Sequence, residues 1–97
     1  MNKIIVDSKY FLDQLLIVQD GWFGDDLEMI ADKKENTISF GYLVNTGCYV
    51  MNNFSVKLYK NTIDRLIRHL WLIEQQPITL QFNDSGLFNV KICEMVV

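Results

Sequence analysis

The sequence predicts an α+β fold: a mostly antiparallel sheet of about six strands with two helices on one face, in the order β-α-β-β-β-α-β-β. Three observations lead there. Two segments repeat apolar residues at helical spacing, the segments around them alternate with a period of two, and turn chemistry separates the alternating runs.

Ile4-Ile5-Val6 reads as a first strand, stopped by Asp7-Ser8, either of which can cap a helix. From Lys9 to about Gln19, Phe11, Leu12, Leu15, Leu16 and Val18 share one broad face. Gly21-Trp22-Phe23-Gly24-Asp25-Asp26 then breaks the period, two glycines bracketing two aromatics in a loop. Leu27 to Ala31 alternates weakly, Asp32 to Asn36 is a polar turn, and Ile38, Phe40, Tyr42 and Val44 mark a half-buried strand. After turn residues Asn45-Thr46-Gly47, a long strand carries Phe54, Val56 and Leu58 on one face.

Ile63, Leu66, Ile67, Leu70 and Ile73 define the second helix, with Asn61 or Thr62 as the expected cap, Asp64 in the first turn, and Pro77 barring continuation. Ile78, Leu80 and Phe82 form a strand, Asn83-Asp84-Ser85-Gly86 a turn, and Phe88, Val90 and Ile92 the last strand. The order reads as two copies of β-α-β-β related by a pseudo-twofold. A shift of 51 residues superposes the helices and places Leu27 and Met29 on Ile78 and Leu80. A shift of 50 superposes Ile38, Phe40 and Tyr42 on Phe88, Val90 and Ile92.

At 97 residues the chain, 1–97, is expected to be a single α+β domain. Its net charge of −3 disfavours a phosphate backbone as partner and fits a protein partner with a basic surface. Two cysteines, Cys48 and Cys93, without a CxxC spacing argue for reduced thiols and a cytoplasmic location. Three apolar residues before Asp7 fall short of a signal peptide, and no run approaches a membrane span.

Catalytic chemistry finds little footing. His69 is the single histidine, beside Arg65 and Arg68 with no carboxylate to orient it, so neither a triad nor a zinc site is expected. Asp20, Asp25, Asp26 and Glu28 lack the ligand register of a calcium loop. No cofactor, metal or catalytic residue is therefore assigned, and the chain is read as a non-enzyme. Two surfaces stand out instead. Trp22 and Phe23 with Asp25 and Asp26 form an aromatic pair among carboxylates, suited to anchoring on a basic partner. Tyr10, Gln14 and Ile17 form a stripe away from the first helix's core arc, suited to a protein partner or a second copy of the chain.

The stretch Phe54-Ser55-Val56-Lys57-Leu58, Ile63-Asp64-Arg65-Leu66-Ile67-Arg68-His69-Leu70 and Pro77-Ile78-Thr79-Leu80-Gln81-Phe82-Asn83-Asp84-Ser85-Gly86-Leu87-Phe88-Asn89-Val90 resembles immunity proteins of the WapI type. These are small bacterial proteins that neutralise a cognate toxin. The same stretch also resembles the repeating unit of the DNA sliding clamp, again strand, helix, then strands. Neither resemblance carries a functional residue. The expected function is a non-enzymatic protein-binding module, a small bacterial or phage inhibitor such as an immunity protein or anti-defence factor. The alternative is a clamp-like or accessory nucleic-acid-binding factor acting through Arg65 and Arg68.

Overall fold

A computed structural model describes residues 2–21, 24–41, 43–83 and 86–92, with backbone alone at 45 and 86–92. The fold is α+β. Its strands are β1 (Asn2–Asp7), β2 (Asp26–Asp32), β3 (Thr37–Phe40), β4 (Leu43–Asn45), β5 (Cys48–Val50), β6 (Phe54–Tyr59), β7 (Pro77–Asn83) and β8 (Gly86–Ile92). Helix α1 (Ser8–Gly21) follows β1, and α2 (Lys60–Leu72) follows β6. All pairing is antiparallel, in two four-stranded sheets ordered β5-β1-β7-β8 and β4-β3-β2-β6.

The expected sheet of about six strands is thus divided into two. Gly41 takes φ +60 in a turn, so the alternating run from Ile38 to Val44 folds back on itself and Val44 pairs with Ser39. An L-residue resists that conformation, while glycine adopts it freely. Asn45-Thr46-Gly47 does not close a hairpin. It lies between β4, the margin of one sheet, and β5, the margin of the other. The long strand expected after it is two strands, β5 and β6, which belong to different sheets.

Each half of the chain completes its sheet with a strand of the other half. β1 pairs with β7, and β6 pairs with β2. The registers confirm the twofold relation. Met29 faces Phe40 as Leu80 faces Val90, so the second strand repeats after 51 residues and the third after 50. The helices begin 52 residues apart, at Ser8 and Lys60, one more than the sequence alignment of the helices used. Buried Ile4 and Val6 of β1 recur as buried Val56 and Leu58 of β6 at that same spacing of 52.

One core joins both sheets and both helices, with Ile4, Phe11, Leu15, Met29, Ile38, Leu58, Ile63, Ile78 and Leu80 all essentially inaccessible. Two sets of contacts stitch the sheets together. On one side Asn36, at φ +52 in the β2–β3 turn, accepts the Val50 N–H on Oδ1 (3.1 Å) and the Cys48 thiol on its carbonyl (3.2 Å). On the other, the Phe54 and Phe82 rings lie 5.4 Å apart. Phe11 of α1 reaches Phe40 of β3 at 6.3 Å, seating the helix on the sheet of its own half.

The helices lie antiparallel, packed side by side. At one end the Ser8 hydroxyl donates to the Glu74 carbonyl (3.3 Å) and accepts the Gln76 N–H (3.0 Å), just beyond α2. At the other end Gln19 Nε2 donates to Asp64 Oδ1 (2.8 Å). Asp7 caps α1, its Oδ2 accepting the Tyr10 N–H at 3.0 Å. Neither Asn61 nor Thr62 caps α2, because the helix starts earlier: Tyr59 is its N-cap residue, without a side-chain bond, and the Lys60 N–H donates to the Asp25 carbonyl (3.1 Å). Asp64 is consequently displaced from the first turn and bonds α1 instead.

Two substitutions test this account by urea unfolding. Leu80→Ala, at a fully buried site on the strand that receives β1, should cost about 2–5 kcal/mol. Gly41→Ala meets no atom within 4 Å, so its cost should be the backbone term alone, about 1–2 kcal/mol.

Candidate protein-interaction surface

Helix α1 turns Phe11, Leu12, Leu15 and Val18 into the core, which sends Tyr10 and Ile17 outward at 39% and 55% exposure. The expected stripe therefore exists. Its middle member differs in kind: Gln14 is half-buried, and its Oε1 is fully enclosed with no hydrogen-bond partner. A buried carbonyl oxygen without a donor costs about 1–3 kcal/mol, so most proteins avoid one. At the N-terminal end of the stripe Tyr10 lies against Gly47, where a Cβ would stand 3.1 Å from the ring. Absence of a side chain at Gly47 lets the turn between β4 and β5 approach α1 this closely.

Trp22 and Phe23 of the predicted aromatic loop lie outside the described residues. Asp25 and Asp26 are exposed at the entry to β2, beside the start of α2. Along α1, Tyr10 and these acids occupy opposite ends, with Ile17 between.

Leu72, which helical spacing places on the solvent side of α2 with Arg65 and Arg68, is 85% exposed, and Trp71 beside it, which the spacing argument did not single out, is 66% exposed. Trp71 falls off the arc of Ile63, Leu66 and Leu70, which was the available signal. Arg65, Arg68 and His69 are exposed on the same helix, as expected of its polar side.

Among the described residues no group of three or more His, Cys, Asp or Glu side chains is placed to hold a metal ion. No helix there is long and apolar enough to cross a membrane. Cys93 lies outside the described residues, so its relation to Cys48 is not part of this surface. No protein-family model matches the chain, and neither a curated protein nor a solved structure is significantly similar to it.

Cys48 is half-buried, and burial pushes its thiol above the ordinary range, partly offset by a backbone hydrogen bond at Ile38. The neutral thiol is the form that folding favours. Its contribution is complete below the unfolded-state value and is lost as pH rises through the higher folded value. In a Cys93→Ser background, alkylation of Cys48 at about pH 8 should be slower in the folded chain than in urea, with the folded rate climbing only at higher pH.

Proposed function

We propose that the chain is a non-enzymatic protein-binding module, a small bacterial or phage inhibitor of the immunity-protein or anti-defence kind, that neutralises a protein partner. The observation that carries this reading is the orphaned Gln14 Oε1 between exposed Tyr10 and Ile17. With the helices starting 52 residues apart, Gln14 occupies the position that Leu66 fills in α2, where the residue is buried and apolar. A polar group at that position works against the stability of the free chain. It gains a purpose if a partner lying across Tyr10 and Ile17 donates a hydrogen bond to it. Asp13, Asp20, Asp25 and Asp26, all exposed, give this end of the chain the sign that steers a basic partner.

The experiment is a thermal melt and a binding measurement on the same variant, with the partner recovered by affinity capture and then purified. Gln14→Leu should stabilise the free chain by about 1–2 kcal/mol, roughly 4 °C or more in midpoint, and weaken the complex by about tenfold. A variant that melts lower and binds as before would end this reading. Asp25→Asn with Asp26→Asn should leave the dissociation rate nearly unchanged while slowing association and flattening its salt dependence.

A second reading, a clamp-like or accessory nucleic-acid factor, is favoured by the exposure of Arg65 and Arg68 on one helix of a duplicated strand-helix-strand-strand unit. It calls for salt-dependent retention on DNA that Arg65→Gln with Arg68→Gln removes.

A further inference from the structure

The two helices form one outward layer whose halves carry opposite charge. On α1 the exposed positions at helical spacing are Lys9, Asp13, Ile17 and Asp20, a net negative stripe with its one cation at the N-terminal end. On α2 they are Asn61, Arg65, Arg68 and Leu72. The helices run antiparallel, with Ser8 held beside Glu74 and Gln76 and with Gln19 bonded to Asp64. At a rise of about 1.5 Å per residue, this places Asp13 level with Arg68 and Asp20 level with Arg65, each within about one helical turn along the common axis.

We propose that this layer is the interface of a homodimer, in which two copies stack helix layer on helix layer about a twofold parallel to the helices. That operation lays α1 of one copy over α2 of the other without shifting either along the axis. Asp13 then meets Arg68 of the second copy, Asp20 meets Arg65 of the second copy, and the symmetry repeats both pairs. The match is self-complementary, as a twofold interface requires. Leu72 and Ile17, exposed apolar residues within the same layer, supply contact that the charges orient. Helices of 14 and 13 residues present a face of order 400 Å² per copy, which is small, so the dimer belongs to the weak and reversible class.

The proposal does not depend on the inhibitor reading, and it is tested on the purified chain alone. Sedimentation equilibrium should show a monomer–dimer equilibrium in the micromolar-to-millimolar range that loosens with salt. Asp13→Arg with Asp20→Arg should weaken self-association about tenfold or more, as should Arg65→Glu with Arg68→Glu, each variant retaining the wild-type circular dichroism and melt. Mixing the two reversed variants should restore a heterodimer at about wild-type affinity. Dilution of labelled protein should move amide NMR signals within residues 9–20 and 60–72. A chain that is monomeric at millimolar concentration overturns the proposal. Reversed variants that dimerise as wild type, or that fail to rescue each other, overturn it equally. A monomer that loses only DNA retention on reversal of α2 assigns the arginines to nucleic acid instead.

Discussion

Everything in this fold hangs on the exchange of first strands between the halves. β1 is held by β7, 70 or more residues away, and β6 by β2. Undo either pairing and the first strand of one half loses the neighbour that ties it to the other half, while the second strand of that other half becomes an edge. Neither half therefore contains a complete sheet, and the core has no smaller unit into which it divides. Long-range pairing of this kind makes loop closure expensive early in folding and the final state cooperative. The helices reinforce it at both ends, since the buried Ser8 binds the segment that leads from α2 into β7.

Sequence patterning made much of this visible. The two helical arcs reappear in the burial of α1 and α2, and the spacings of 51 and 50 between second and third strands in the registers. Alternation nevertheless says which face a residue occupies without saying where a strand ends. The run Ile38 to Val44 keeps its period through Gly41, so the positive φ that divides it leaves no trace except the glycine itself. Asn45 to Gly47 signals a change of direction, but turn chemistry is blind to which sheet receives the chain. Capping failed for a related reason. Asn61 and Thr62 have suitable side chains, yet the Asp25 carbonyl satisfies the Lys60 N–H from outside the helix, and no local pattern encodes that.

The candidate surface was legible in outline and not in substance. Helical geometry alone puts Tyr10, Gln14 and Ile17 on one flank. That the Gln14 carbonyl is enclosed rather than solvated does not follow from that spacing. Nor does the approach of Gly47 to Tyr10 from 37 residues away. Trp71 is a different case: the position of the Ile63, Leu66, Leu70 arc is enough to place this ring outside, though aromatic residues are usually largely buried.

The repeated β-α-β-β arrangement also lets two equivalently placed helices carry opposite charge. Core packing constrains the inner arc, where Phe11 and Ile63, like Val18 and Leu70, are apolar in both copies at a spacing of 52. Outward positions meet water, where a charge of either sign is tolerated and an isolated ion pair contributes little. Asp13 and Arg65 stand at equivalent places and differ in sign, and the fold is indifferent to the difference. Gln14 is the exception, because its position belongs to the inner arc in α2 and only half to it in α1. A polar group there sits where the scaffold alone favours a leucine, so its explanation must be sought in what the α1 flank contacts rather than in what holds the chain together.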